Sequence, residues 1–282
     1  MNSTQTLSFN YLGTDVSISG YNTDHIFNVI KIKKNFYEID LLEEILLHPI
    51  PQGLIVDIGA NIGNHTIFLS KILDREVIAI EPNPQNFEFL ESNIRQNDLT
   101  SKVTAIKIAA SNHTGKGFLD RMIKDNCGSF TFSPNESGDV KCDTIDNILK
   151  GQNVALIKID VEGFEKHVIE GAWETIKRDK PIIVCEANSV LQKHEIIKKL
   201  AQLRYELASI NGATDTLLFL EKDSLGQLGL IRNDIKTASK SSTLQLRRAI
   251  DKTTDLSKKN TALSEKNTAL SEKNTALSEK NT

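Results

Sequence analysis

The sequence predicts a doubly wound α/β fold: a mostly parallel sheet with an antiparallel last strand, followed by a heptad-repeat helical tail. Three observations predict it. Short apolar runs of strand length alternate with amphipathic stretches as far as about residue 225. The first of the central runs enters a glycine-containing turn and then a helix-like segment. The chain closes on a repeat with a period of seven residues.

Composition sets the outer limits. The chain has 282 residues, 39% hydrophobic and 25% charged, with a formal net charge of −3. That is ample apolar content for a core, and it lacks the strongly basic footprint of a nucleic-acid binder. No run approaches the roughly 18 apolar residues of a membrane span. Met1-Asn-Ser-Thr-Gln-Thr lacks the basic and apolar regions of a secretory signal. Cys127, Cys142 and Cys185 are dispersed and odd in number, which suits a reducing compartment. The expectation is a cytoplasmic protein without a membrane span.

The elements follow in order. Weak alternation over residues 7–32 (Leu7, Phe9, Tyr11, then Val16, Ile18) predicts a small β-ribbon. Phe36–Leu47 reads as an amphipathic helix. Leu54–Ile58, Val77–Ile80, Val103–Ile108, Val154–Ile159 and Ile182–Cys185 are strands buried on both faces. Thr66–Leu73, Pro84–Asn97, Phe164–Lys177 and Leu191–Leu203 are the helices between and after them. Tyr205–Ile210 and Thr216–Glu221 form a closing hairpin around Asn211-Gly212. Gly117–Gly138, with Gly128-Ser-Phe130, reads as a polar loop at the substrate side or on the plain surface.

The strongest local signal is Leu54-Ile-Val-Asp-Ile-Gly-Ala-Asn-Ile-Gly-Asn-His-Thr66. Gly59 and Gly63 permit close backbone approach to a ligand, and a helix start offers free N–H groups. The pattern is Asp-x-Gly-x-x-x-Gly, not the pyrophosphate fingerprint. Asp57 there suits a ligand carrying positive charge, as S-adenosylmethionine does. Further on, Val77-Ile-Ala-Ile-Glu81 ends a strand on an acid, which is placed to accept both ribose hydroxyls of an adenosine. Leu156-Ile-Lys-Ile-Asp-Val-Glu-Gly163 then ends a strand on two acids, Asp160 and Glu162. The carboxyl ends of strands line the crevice of such a sheet, so both acids belong near a reacting centre.

Taken together, DIGANIGNHT, AIEPNPQNFEFLESNI, KIDVEG and PIIVCE resemble the FkbM family of S-adenosylmethionine-dependent methyltransferases. The resemblance spans about residues 36–221. Smaller matches are Phe36-Tyr-Glu38, Asp143-Thr-Ile-Asp146 and Glu170-Gly-Ala172. It implies a class I, Rossmann-like fold and methyl transfer, usually to oxygen, on a glycan or small natural product. By that resemblance Asp57, Gly59, Asn61 and Gly63, with Asn64, shape the methionine end of a cofactor site. Glu81 holds the ribose with Asn83 beside it, Ser111 lies near the adenine, and Glu38 closes the site from the N-terminal side. Asp160 and Glu162 face the methyl group and the acceptor as candidate catalytic residues. Which of them acts as base stays open at this level. No residue is assigned to a metal, and of the histidines only His65 is placed near the site.

The boundaries read from the sequence are an N-terminal extension over 1–35, the catalytic domain over 36–225, a helical linker over 226–253 and heptads over 254–282. Leu256, Leu263, Leu270 and Leu277 share one heptad position, and Asn260, Asn267, Asn274 and Asn281 share another. Leucines at one seam position support a coiled coil and a homo-oligomer, repeated asparagine weakens it, and the alternative is a solvated, disordered tail. The competing reading is a non-catalytic scaffold of the same fold that self-associates through this tail.

Overall fold

The computed structural model describes residues 3–48, 50–121, 130–212 and 215–223. The linker and heptad readings, Cys127 and the Gly128-Ser129 pair lie outside these residues.

The chain opens with strands β1 (Thr4–Tyr11) and β2 (Thr14–Tyr21), paired antiparallel. The sequence expectation extended this ribbon to residue 32, but helix α1 (His25–Lys33) intervenes. Asp24 starts it by accepting the Phe27 N–H at 2.8 Å, a local cap that outweighs the weak alternation. Helix α2 (Ile39–Leu46) begins after Glu38, whose φ of 54° is left-handed. The sequence predicts this helix over Phe36–Leu47; it starts only at Ile39, so Phe36, Tyr37 and Glu38 lie outside it.

The main sheet then builds. Strand β3 (Leu54–Ile58) leads into α3 (Asn64–Ile67), which runs on as a π turn over Phe68–Ile72. Next come β4 (Val77–Ile80), α4 (Pro84–Gln96) and β5 (Val103–Ile106). A second sheet interrupts: β6 (Ala109–Ala110), β7 (Gly115–Arg121), β8 (Phe130–Pro134) and β9 (Val140–Asp143), ordered β6-β9-β7-β8. The stretch read as a polar loop thus contains two paired strands, with Leu119 opposite Phe132. Its alternating apolar residues are too few for periodicity to reveal, and cross-strand pairing supplies the rest.

The chain returns through α5 (Ile145–Leu149), β10 (Val154–Ile159), α6 (Glu165–Gly171), α7 (Trp173–Asp179), β11 (Ile182–Ala187), α8 (Val190–Ala201), β12 (Tyr205–Asn211) and β13 (Asp215–Glu221). The helix predicted over Phe164–Lys177 is split at Ala172. Gly171 packs so closely on the Ser111 carbonyl that a Cβ there would lie 1.9 Å from it, a constraint set by the fold and not by local pattern.

The sheet order is β12-β13-β11-β10-β3-β4-β5. Strands β11, β10, β3, β4 and β5 run parallel, and β13 pairs antiparallel with β11. The order of strands turns back at β3, with β4 and β5 to one side and β10 and β11 to the other, the switch point where an open sheet forms its crevice. Among the described residues no helix is long and apolar enough to cross a membrane.

Two apolar layers sandwich this sheet. Because side chains alternate along a strand, Ile55, Leu156 and Val184 enter one layer while Val56, Ile157 and Cys185 enter the other. Asp57, Lys158 and Glu186 therefore fall on the face of Ile55, on three neighbouring strands. That face is covered by the ribbon and the first helices. Phe36 packs edge-on against Phe9 and Phe68 at 5.1 Å between centroids. The exposed backbone edge of β2 is sealed by α4: Asn93 accepts the Ser19 N–H at 2.7 Å, and Asn97 accepts that of Ser17 at 3.0 Å. The ribbon is thereby fastened to α4 and the residue that follows it.

Candidate active site

The crevice is built where the loops after β3 and β10 meet. Asp160 N–H donates to the Ile58 carbonyl at 3.0 Å, and a Cβ on Gly59 would lie 1.7 Å from the Asp160 carbonyl. Gly59, at φ +76°, has a second loop crossing it, and it also lines the larger cleft where the sequence expectation places close ligand approach. A Cβ on Gly63 would meet Leu90 of α4 at 2.8 Å, so this glycine seats the helix that follows.

Asp57 is fully buried, and its charge is already answered. Lys158 Nζ lies 3.3 Å from Asp57 Oδ1, and Thr66 Oγ1 donates to Oδ2 at 2.6 Å. The positive partner that the sequence reading sought in a ligand is a lysine one strand away. Lys158 also lies 3.2 Å from Asp160 Oδ2 and donates to the Gly59 carbonyl at 3.1 Å. Burial pulls its ammonium down, but Asp160, Asp57 and Glu38 outweigh burial and hold it above the ordinary lysine range. Lys158 escaped the sequence reading, and the available signal was a charge inside a run of buried apolar residues.

The larger cleft lies between the ends of β3, β4 and β10 and the small sheet. Its polar wall carries Asn61, Glu81, Asp160 and Glu162; Ala110, Leu119, Phe132 and Phe164 are among its apolar residues. Glu81 accepts the N–H groups of Asn61 and Asn83, each at 2.8 Å. Burial pushes its carboxyl up to about 7 against those hydrogen bonds. The Asn61 side-chain oxygen is buried and has no hydrogen-bond partner.

A smaller cavity adjoins, lined by Glu38, Lys158, Asp160 and Glu186 among others. Asp160 lines both spaces. Burial would raise its carboxyl, yet Lys158, a hydrogen bond with Glu186 and nearby His65 outweigh that and hold it below the ordinary range. Glu162 goes the other way: burial first, then Asp160 and Glu165, push it up to about 7. Glu38 lies 3.3 Å from His65 Nε2. Half-buried Tyr37, another residue the sequence reading did not assign, stands among Glu38, Asp160, Glu186 and Glu162. Burial and these acids push its phenol up to about 12, so it stays a proton donor.

Glu38, Asn61 and Glu162 have φ of 54°, 51° and 53°. Side chains seldom adopt this left-handed backbone, and here it aims three polar residues at the crevice.

Other predicted residues sit differently. Asn64 holds the segment before α2 in place, accepting the Tyr37 N–H at 3.0 Å and donating to the Tyr37 carbonyl at 3.1 Å. Asn83 caps α4 by accepting from Gln85 and Asn86 at 2.9 and 3.1 Å. Ser111 is fully buried, its hydroxyl 3.2 Å from His113 Nδ1; Ala109 and Ala110, just before it, line the cleft. Among the described residues no group of three or more His, Cys, Asp or Glu is arranged to hold a metal ion.

Residues 57–207 match a family profile described as the methyltransferase FkbM domain, more than half of the chain. A hexuronic acid methyltransferase of Haloferax volcanii, AglP, is 25% identical over 211 residues, covering 71% of this chain and 86% of that protein. Methyltransferase sdnD of Sordaria araneosa is 24% identical over 195 residues, covering 55% of this chain and 69% of that one. Among solved structures, methyltransferase FkbM from Methylobacillus flagellatus KT is similar with 23% identity and a TM-score of 0.46. That similarity spans 60% of this chain and 43% of that chain.

Proposed function

The chain belongs to the FkbM methyltransferase family, and from that premise we propose that it transfers a methyl group from S-adenosylmethionine to a hydroxyl of a glycan or small-molecule acceptor. The observation that carries the cofactor assignment is the larger cleft: a carboxylate at a strand end facing an apolar slot, with one buried amide oxygen still without a donor. The slot suits a flat base, Glu81 suits a ribose diol, and Asn61 Oδ1 suits an ammonium. Asp57 stands behind this wall as a support for Lys158.

When bound, S-adenosylmethionine would supply a methyl group already activated on its sulfonium, with the neutral thioether as leaving group. The protein's share is alignment and proton removal. Gly59 and Asp160 fix the two loops against each other. Tyr37 keeps its phenol proton beside the acid cluster. A carboxyl with a proton affinity near neutral suits a general base, and Glu162 has that property at the cleft wall. The carbohydrate acceptor is supported by the hexuronic acid methyltransferase among the relatives.

Thermal unfolding with and without S-adenosylhomocysteine, with NAD as control, tests the reading. At ~100-fold excess over the dissociation constant, binding adds roughly 2.7 kcal/mol. That raises Tm by about 5–11 °C for a domain of this size, at about 2–4 °C per kcal/mol. No shift at saturating ligand would remove the cofactor and leave the scaffold reading in front.

A further inference from the structure

Lysine is among the residues least often fully buried, and a central parallel strand is an unfavourable place for one. Lys158 is nevertheless 4% exposed at the penultimate position of β10. Its ammonium donates to the Gly59 carbonyl at 3.1 Å and forms ion pairs with Asp160 Oδ2 at 3.2 Å and Asp57 Oδ1 at 3.3 Å. One acceptor belongs to β3, one to the loop after β3, and one to the loop after β10. Lys158 is thus the polar tie between the two halves of the crevice, at the point where Gly59 leaves no room for a side chain.

We propose that Lys158 is a positioning residue of this site: its ammonium ties Asp57 to Asp160 and keeps Asp160 a fixed hydrogen-bond acceptor, leaving Glu162 to take the proton of the acceptor hydroxyl. The inference rests on the methyl-transfer reading for the role of Glu162, while the placement of Lys158 stands without it.

The surrounding groups agree. Lys158, 3.2 Å from Asp160 Oδ2, and a hydrogen bond with Glu186 hold the Asp160 carboxyl below the ordinary range against burial, which makes it a poor base. Glu162, on the cleft wall, has no salt-bridge partner within 4.0 Å among the described residues, and burial first, then Asp160 and Glu165, push it up. Glu165 is itself engaged, accepting from Val161 at 3.3 Å, from Gly163 at 3.0 Å and from Gln192. In the transfer, the hydroxyl proton passes to the Glu162 carboxylate as the oxygen gains the methyl group, so charge and atoms balance.

The test is a pH titration of the full chain labelled with ¹³C at Asp and Glu carboxyl carbons, followed by NMR from pH 5 to 9. Glu162→Gln and Asp160→Asn assign the two resonances. In the wild type, the Glu162 signal should titrate near 7 and the Asp160 signal should stay flat. Lys158→Met should bring Asp160 into the window and move Glu162 upward, and Lys158→Arg should restore both. An Asp160 that titrates within the window in the wild type, or a Lys158→Met protein with both signals unmoved, overturns the proposal. Should Lys158→Met not fold, the wild-type and Lys158→Arg titrations still decide. A wild type that titrates as stated yet gains no stability from S-adenosylhomocysteine would sink the methyl-transfer reading and leave the role of Lys158 intact.

Discussion

Replacing Asp57 with alanine separates the two accounts of this residue. If it held a ligand, its loss would leave the fold alone and abolish binding. The structure gives it another task. Asp57 is 0% exposed, carries one of the two carboxylates on Lys158 and accepts from Thr66 at 2.6 Å. Breaking a buried ion pair by removing one partner costs about 3–5 kcal/mol, because the remaining charge is left under-compensated. Asp160 still faces Lys158, which tempers that cost, while the Thr66 hydroxyl loses its acceptor, which adds about 1–3 kcal/mol. A net loss of about 3–5 kcal/mol corresponds to a Tm lower by about 6–20 °C. Asp57→Asn keeps an acceptor for Thr66 and loses only the charge, so it should fall between the two. Circular dichroism melts of wild type, Asp57→Asn and Asp57→Ala, each with and without S-adenosylhomocysteine, measure this directly. An alanine variant melting within about 2 °C of wild type, with its ligand-induced shift gone, would refute the structural role and return Asp57 to the ligand.

Two further predictions follow from the same geometry. Gly59→Ala places a Cβ 1.7 Å from the Asp160 carbonyl at a left-handed φ, so the two loops must part. We expect a loss of about 2–5 kcal/mol from the combined backbone and overpacking cost, read as a lower urea midpoint, and a wild-type midpoint would show that the loops do not cross as described. Glu81 has its carboxyl raised from 4.5 to about 7 by burial, so the folded state holds a proton that the unfolded chain releases between those values. Stability should therefore fall as pH rises through that window, and Glu81→Gln should flatten the fall. Ligand affinity should run the opposite way, because the ribose hydroxyls donate to the ionised acid. Calorimetric titration of S-adenosylhomocysteine should show binding that strengthens up to about pH 7 and then levels; a flat profile rejects Glu81 as the ribose acceptor.

Much of the fold was legible in short stretches. Leu54–Ile58, Val77–Ile80 and Val154–Ile159 are apolar runs, the first and last broken by a single charge, and the strands occupy those very residues. Once the strands are parallel, the acids at their carboxyl ends, Glu81, Asp160 and Glu162, must reach the crevice, and all three line it. The asparagines were harder. Asn61, Asn64 and Asn83 read alike in the loops of the sequence, yet only Asn61 lines the cleft. Asn64 and Asn83 are consumed by backbone groups whose positions depend on the packing of α2 and α4. The β7–β8 pair was missed because its pairing is cross-strand and its pattern weak.

What the sequence determined by itself was the order of strands and helices and the acidic character of the crevice, because apolar runs and strand-end residues act over a few neighbours. What only the tertiary structure decided was who answers each buried charge. Lys158 looked like an interruption of an apolar strand. It meets Asp57 because the parallel register sets those two residues side by side, and it meets Asp160 because the loop after β10 turns back over Gly59. Register and crossing are long-range outcomes of packing. The partner of a buried ion is fixed by them, and no local pattern in either segment contains that information.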